Sequence, residues 1–283
     1  MGSYAFVQVD VFASGPLSGN PLAVVSAADA LTADQMQAFA RWTGLSETTF
    51  LLEATDEAAD YRVRIFTPEL ELPFAGHPTL GSAFVWRSVA GRSAGARGDG
   101  VVVQECGAGL VSVRSDGQQL AFAAPPLTRF EPVDEELLGR IVAGLGLDRG
   151  EVLDASWLVN GPQWIGLRLA SADRVLGVTV DQAALAGLDL GVVGPHPPGG
   201  DADFEVRGFI PGGSVPEDPV TGSLNAGLAH WLMATGQAPE SYVAAQGRAV
   251  GAAGRVRVHR DEAGLWIGGR VVKVISGRVE LPG

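Results

Sequence analysis

The sequence predicts an α+β fold made of two similar halves. Strand-like and helix-like patterns follow one another along the 283 residues, and their order in the second half repeats the order in the first. Three pairs of matching motifs also recur at nearly constant spacing. Because 46% of the residues are hydrophobic, the chain can bury a large core, and disorder is not expected. We therefore expect two domains, residues 1–126 and 127–283.

The first half opens with a β-hairpin, in which an alternating strand over 7–12 leads through Gly/Pro turns to a second strand over 22–25. A helix follows: Thr32 and Gln35 fit a capping box, and Gly44 is placed to end the helix. The apolar stripe of this helix is formed by Met36, Phe39, Ala40 and Trp42. Strand-like patterns then continue at 45–52, 61–66, 100–104, 109–114 and 119–123.

The second half begins where Pro125-Pro126 interrupts the series of strands. The acidic stretch at 134–136 predicts the start of a helix that runs towards Gly144, because negative side chains stabilise the N-terminal turn. Strands are predicted near 157–160 and 164–169, and a second helix near 181–186. The order of elements is that of the first half.

The two halves match each other when the sequence is shifted by about half its length. The three motif pairs have offsets of 140, 143 and 141 residues: Asn20-Pro21 with Asn160-Gly161-Pro162, Arg64-Ile65-Phe66-Thr67-Pro68 with Arg207-Gly208-Phe209-Ile210-Pro211, and His77-Pro78-Thr79-Leu80-Gly81-Ser82 with Asp218-Pro219-Val220-Thr221-Gly222-Ser223. The near-constant offset predicts duplication of one unit. The alternative is convergent turn chemistry.

The third motif places one titratable residue before a proline in each half. Proline favours the first turn of a helix, so His77 and Asp218 are expected at the starts of two helices. The unpaired N–H groups there form an anion site. If the halves pack as pseudo-twofold mates, an acid and a base would meet one substrate in the cleft between them. Alternatively, the Asp is only a cap and the His a turn or core residue.

Composition excludes several other functions. The net charge of −12 disfavours nucleic acids and anionic membranes as partners, and an anionic substrate needs a local positive site. The single cysteine, Cys106, can form neither a disulfide framework nor a zinc knuckle, and no spacing suggests a metal site. Lys273, the only lysine, lies in a strand-like segment and is a poor candidate for Schiff-base chemistry. With neither signal-peptide features nor a membrane span, we expect a cytoplasmic protein.

Several motifs together resemble the PhzF-like (phenazine biosynthesis) family over nearly the whole chain. They are Val9-Asp10-Val11-Phe12, Gly19-Asn20-Pro21, Leu45-Ser46-Glu47-Thr48-Thr49-Phe50, Phe74-Ala75-Gly76-His77-Pro78-Thr79-Leu80-Gly81, Glu217-Asp218-Pro219-Val220-Thr221-Gly222-Ser223, Gln246-Gly247 and Ile267-Gly268-Gly269. The resemblance implies the fold of diaminopimelate epimerase, in which each half is a curved antiparallel sheet or barrel around a central helix. It also implies a homodimer, and a last strand, about 271–280, that returns to the first half.

The resemblance further implies an isomerase that shifts a proton and a double bond in a small anionic carboxylic acid, such as dihydro-3-hydroxyanthranilate, without metal or cofactor. Its implied catalytic residues are Glu47, the main acid/base, with His77, Asp218 and Ser223. The implied substrate-binding residues are Asn20, Gly76, Pro78, Thr79, Thr221 and Gly222. The epimerase has cysteines at the two helix starts, so its mechanism is not available here. Partial burial is expected to raise the pKa of the Glu47 carboxyl group.

The sequence departs from the family at Ala252, where the family often has arginine. Arg248 or Arg255 is a possible substitute, and a different ligand is the alternative. Two other functions stay open: an epimerase of another small acid, and a non-catalytic metabolite-binding protein with the same fold.

Overall fold

The computed structural model describes residues 1–89, 100–115, 119–213 and 215–282. The helices are Ala33–Thr43 (α1), Gly76–Val89 (α2), Glu135–Gly144 (α3), Ala172–Leu176 (α4) and Gly222–Ala234 (α5). The strands are Gly2–Val11 (β1), Asn20–Ser26 (β2), Thr48–Leu52 (β3), Tyr61–Phe66 (β4), Glu71–Leu72 (β5), Val101–Cys106 (β6), Gly109–Ser115 (β7), Gln119–Ala123 (β8), Arg129–Pro132 (β9), Asp154–Val159 (β10), Gln163–Arg168 (β11), Asp189–Pro195 (β12), Phe204–Phe209 (β13), Glu217–Asp218 (β14), Ser241–Gln246 (β15), Gly254–Asp261 (β16) and Gly264–Leu281 (β17).

The chain divides into two compact units. Unit 1 comprises Met1–Ala123 and Gly268–Gly283, and unit 2 comprises Ala124–Ile267. The last strand, β17, therefore begins in unit 2 and continues in unit 1.

The strands of unit 1 close into an eight-stranded barrel. Around the ring, β1 pairs with β2 antiparallel, β2 with β3 parallel, β3 with β4 antiparallel, and β4 with β6 parallel. The antiparallel pairs β6–β7 and β7–β8 follow, and β17 closes the ring between β8 and β1. Closure leaves no unpaired edge along these strands.

Helix α2 fills the barrel of unit 1. Its residues Leu80, Ala83 and Val85 are fully buried, and the helix contacts strands on all sides, from β1 to β8. Gly81 faces the wall so closely that an added Cβ would overlap the side chain of Leu22. Glycine therefore allows the close approach of helix and wall, and a larger residue would displace the Leu22 side chain.

Helix α1 packs on the outside of this barrel as its sequence predicts. Thr32 and Gln35 form the capping box, and Gly44 ends the helix with a left-handed φ of 64°. Met36 and Phe39 are buried against β2, β3 and β4. The predicted apolar stripe is wrong for Trp42, which is 80% exposed and stacks on Phe39 at its edge.

Unit 2 repeats the strand pairings of unit 1. The antiparallel hairpin β10–β11, the parallel pair β11–β12, the antiparallel pair β12–β13, the parallel pair β13–β15 and the hairpin β15–β16 follow in the same sequence, with β9 beside β10. Helix α5 takes the place of α2, and a Cβ on Gly191 would overlap the side chain of Leu224 in α5. The predicted fold of two similar halves is confirmed.

An ion pair is also duplicated. Arg64 on β4 binds Glu71 on β5 with two hydrogen bonds of 2.7 and 2.6 Å, and Arg207 on β13 binds Glu217 on β14 with two of 2.9 and 2.8 Å. The second pair is buried, and Arg207 also donates to three carbonyl groups at the end of α4.

One predicted helix is wrong. Residues 181–186 form a turn, in which the Asp181 carboxylate accepts hydrogen bonds from the N–H groups of Ala183 and Ala184, and Gly187 leaves the turn with a left-handed φ of 82°. These side-chain bonds resemble those of a helix N-cap, but the left-handed Gly187 ends the segment after a single turn. The helix of this region is α4, which the sequence did not indicate. By contrast, α3 begins after Asp134 as predicted, and the Asp134 side chain accepts from Leu137 N.

Among the helices of the described ranges, none has both the length and the apolar character needed to cross a membrane.

Candidate active site

His77 is buried in the first turn of α2. Pro78 follows it where a missing N–H costs no helical hydrogen bond. The imidazole is 4% exposed and is hydrogen-bonded to the Pro21 carbonyl. Burial lowers the pKa of His77 to about 3, although the bond to Pro21 acts in the opposite direction. His77 is therefore neutral near pH 7.

The tautomer of His77 follows from its contacts. Its Nε2 makes no hydrogen bond and lies 3.4 Å from Glu47 Oε2. The bond to Pro21 must therefore come from Nδ1, and Nδ1 carries the proton because a carbonyl oxygen only accepts. Nε2 then presents a lone pair to the carboxyl group of Glu47.

Glu47 lies between the end of α1 and the start of β3, and its side chain is only 15% exposed. The sequence predicted a strand-like pattern over 45–52; the strand begins at Thr48, so Glu47 lies just before it. A carboxylate oxygen facing the Nε2 lone pair would be repelled, whereas a carboxylic acid would donate to it. The geometry is thus suited to hold one proton between the two groups.

The turn that carries Asn20 and Pro21 is fixed by Asp10, a residue that the sequence analysis did not single out. The buried Asp10 carboxylate accepts hydrogen bonds from the N–H groups of Ser18 and Gly19, at 2.7 and 2.9 Å. Asn20 itself is fully buried at the start of β2. The alternation of Val9 and Val11 with Asp10 places Asp10 on the polar face of the strand, so the pattern did not signal its burial.

Asp218 is not at the start of a helix, contrary to the prediction. It lies in the short strand β14, opposite Gly208 on β13, and α5 begins four residues later at Gly222. The reason is that the backbone of 217–218 completes a sheet pairing before the chain turns into the helix. The Thr221 hydroxyl donates to Asp218 Oδ2 at 2.8 Å.

Ser223 lies in the first turn of α5. Its hydroxyl oxygen accepts a hydrogen bond from Trp164 Nε1 at 3.0 Å, and its carbonyl accepts from Asn160 Nδ2 at 2.8 Å. Because the indole N–H only donates, the hydroxyl proton of Ser223 points elsewhere and can itself be donated.

The remaining predicted binding residues are buried at the starts of the two central helices, namely Gly76, Pro78, Thr79, Thr221 and Gly222. The hydroxyl of Thr79 accepts from Gln104 Nε2 at 2.9 Å. The two helix starts therefore carry buried polar side chains as well as main-chain groups.

The structure brings Glu47, His77 and the Asn20-Pro21 turn together in unit 1, and Asp218 and Thr221 together in unit 2. That both sets act on one substrate stays a prediction.

Of the two arginines considered in place of Ala252, Arg255 is paired with Asp201 at 2.7 Å, whereas Arg248 is exposed on a short 3₁₀ turn. Within the part of the chain that the structure describes, no three His, Cys, Asp or Glu side chains are arranged to bind a metal ion.

The family model described as phenazine biosynthesis-like protein matches residues 9–277. Over 273 residues the chain is 34% identical to a trans-2,3-dihydro-3-hydroxyanthranilate isomerase of Pseudomonas aeruginosa, covering 92% of each chain. It is 32% identical to an uncharacterised isomerase of Pasteurella multocida, covering 99% of this chain and 95% of that protein.

The fold is similar to that of a solved phenazine biosynthesis protein of the PhzF family from Enterococcus faecalis. The TM-score is 0.80 at 27% sequence identity, and the match covers 99% of this chain and all of that one.

Proposed function

The chain belongs to the phenazine biosynthesis-like family, and on that basis we propose that it moves a proton, and with it a double bond, within a small anionic carboxylic acid. The expected family and the isomerase class are confirmed by the relatives named above. The substrate and the roles of individual residues form the proposal. A homodimer in the cytoplasm stays a prediction.

The contact between Glu47 and His77 is the observation that carries the proposal. In the proposed reaction a C–H bond breaks at one carbon of the substrate and another forms at a second carbon while the double bond migrates. No electrons are gained or lost, so one group that accepts and returns a proton is sufficient. The Glu47 carboxyl group lies 3.4 Å from a neutral imidazole whose Nε2 can accept a hydrogen bond from the protonated carboxyl group.

His77 and the Asn20-Pro21 turn hold this carboxyl group in place. The bond from Nδ1 to Pro21 fixes the ring, so Nε2 keeps its lone pair directed at Glu47. Ordered partners of this kind reduce the reorganisation that proton transfer requires.

Asp218 and Ser223 are proposed as the further catalytic groups, which hold the substrate and relay protons. Ser223 has a hydroxyl proton to donate, and Asp218 is oriented by Thr221. The substrate carboxylate is proposed to bind at the helix starts, which are lined by Gly76, Pro78, Thr79, Thr221 and Gly222 beside Asn20. The proposed main-chain donors are the N–H groups of Gly76 and Gly222. Pro78 has no N–H, and those of Thr79 and Thr221 donate to Ala75 O and Gln246 Oε1.

The proposed substrate resembles dihydro-3-hydroxyanthranilate, since a relative with 34% identity over most of its length is named for that reaction. We test it by incubating the protein with trans-2,3-dihydro-3-hydroxyanthranilate in H₂O and in D₂O and following the ¹H NMR spectrum. We expect migration of the double bond and one deuterium at the carbon that regains a proton. EDTA should leave the rate unchanged.

The same experiment separates the alternatives. Deuterium entering without migration, at the carbon that lost its proton, would indicate an epimerase. Binding detected by calorimetry without turnover would indicate a metabolite-binding protein. Neither turnover nor binding would reject this substrate class.

A further inference from the structure

Gln246 is a buried residue at the end of β15 to which the proposed mechanism gives no role. It is 1% exposed and its side chain makes four hydrogen bonds. Its Oε1 accepts from Thr221 N at 3.1 Å and from Asn225 Nδ2 at 2.8 Å. Its Nε2 donates to Thr221 Oγ1 at 2.9 Å and to the Asp218 carbonyl at 3.2 Å.

The direction of these bonds is determined by main-chain groups. The Thr221 N–H can only donate, so the side-chain atom of Gln246 facing it must be the oxygen. Likewise, the Thr221 carbonyl can only accept, so the atom of Asn225 that bonds it must be the nitrogen. The amide of Gln246 therefore cannot be turned round, and its Nε2 must face the Thr221 hydroxyl.

The Thr221 hydroxyl extends this ordered chain of hydrogen bonds to the Asp218 carboxylate. Because Thr221 Oγ1 accepts a hydrogen bond from Gln246 Nε2, it directs its own proton to another acceptor, and Asp218 Oδ2 lies 2.8 Å away. In a protonated carboxyl group the hydroxyl oxygen is a weaker acceptor than the carbonyl oxygen, so this bond favours Oδ2 as the oxygen without a proton.

We propose that Gln246 is a positioning residue that, through the Thr221 hydroxyl, keeps Asp218 Oδ2 as a hydrogen-bond acceptor. A proton that Asp218 exchanges with a substrate is then directed to its other oxygen, Oδ1. This inference rests on the proposed function, in which Asp218 takes part in catalysis. Gln246 itself acts only through Thr221.

Unit 1 contains a matched pair that serves as a control. Gln104 is fully buried, and its Nε2 donates to Thr79 Oγ1 at 2.9 Å, the same distance as between Gln246 and Thr221. There the chain of bonds starts at the Tyr61 hydroxyl, which donates to Gln104 Oε1. Gln104→Met thus removes an equally buried amide that does not act on Asp218.

The kinetic test compares four variants on trans-2,3-dihydro-3-hydroxyanthranilate. We expect kcat to fall by about 10-fold to 100-fold in Gln246→Met and in Thr221→Val, with KM within about 3-fold, since a charged acceptor loses its oriented donor. Thr221→Ser keeps the hydroxyl and should restore kcat to within about 3-fold of wild type. Gln104→Met should also lower the melting temperature, because a buried amide is lost, while kcat stays within about 3-fold.

Unchanged kcat in Thr221→Val, failure of Thr221→Ser to restore it, or an equal loss in Gln104→Met would each overturn the proposal. A second measurement needs no turnover. Neutron diffraction from deuterated wild-type crystals should show the Thr221 deuteron on the line to Asp218 Oδ2. A deuteron on Oδ2 itself, or a Thr221 hydroxyl turned away from Asp218, would refute the inference. Lack of activity of the wild-type protein on this substrate would refute only the proposed function, and the diffraction result would still test the inference.

Discussion

Glu47→Gln is the most direct test of the acid/base assignment. Glutamine has nearly the volume of glutamate, and its amide N–H can donate to the lone pair on His77 Nε2 across the present 3.4 Å contact. The free energy of unfolding should therefore change by less than about 1 kcal/mol. What is lost is proton transfer, which contributes about 10²-fold to 10⁴-fold to the rate. At 1.36 kcal/mol per tenfold, this raises the barrier by roughly 3 to 5 kcal/mol.

The assay is single-turnover and steady-state conversion of trans-2,3-dihydro-3-hydroxyanthranilate, with ligand binding measured separately by calorimetry. Glu53→Gln is the matched control, since Glu53 follows the other end of β3 and is exposed. We expect Glu47→Gln to bind the ligand with little change and Glu53→Gln to retain wild-type turnover. A folded Glu47→Gln protein with near-wild-type turnover would refute the acid/base role.

Three further outcomes are expected for stability. Gly81→Ala should cost about 1–3 kcal/mol in urea unfolding because the added methyl group overlaps the barrel wall, whereas Gly15→Ala, with open space around it, should cost less than about 1 kcal/mol; equal effects would contradict the packing argument. The pKa of His77 is about 3 in the folded protein against its ordinary 6.5, so the unfolded chain binds more protons between these values and stability should fall as the pH is lowered from 6.5 towards 3. Denaturant titrations at pH 7 and 5 should show a weaker decline in His77→Gln than in wild type, and an identical decline would count against the burial of a neutral imidazole. Arg207→Met should cost about 3–5 kcal/mol, since it leaves a buried carboxylate unpaired, whereas Arg64→Met at the more exposed copy should cost less than about 1 kcal/mol; differential scanning calorimetry distinguishes the two, and similar losses would contradict the role of burial.

Local features of the fold were predictable because their physical causes lie within a few residues. The capping box of Thr32 and Gln35 and the left-handed Gly44 are examples, since each depends on backbone geometry at one helix end. The predicted helix at 181–186 was wrong because the segment ends after one turn at Gly187, which has a left-handed φ of 82°. Asp181 caps that turn by accepting hydrogen bonds from the N–H groups of Ala183 and Ala184, and apolar spacing does not reveal how early the turn ends.

The duplication was also predictable, because matched motifs at nearly constant offset can be recognised without coordinates. The buried side of a helix was harder to predict from the sequence. Trp42 fits the apolar stripe of α1, yet it is 80% exposed and stacks on Phe39. How much of a helix surface its packing partner covers is a property of the tertiary structure.

The sequence by itself determined the family, the two-halved α+β fold and the residue types of the candidate site, since these follow from motifs and their spacing. Only the tertiary structure decided how those residues meet. It shows that His77 is buried and neutral and that its Nε2 faces Glu47. It also shows that Asp218 lies in a strand instead of at a helix start, and accepts a hydrogen bond from the Thr221 hydroxyl there. The physical reason is that protonation and hydrogen-bond direction depend on desolvation and on distances of a few ångströms between residues far apart in the chain, and such distances exist only once the barrel and its central helix have packed.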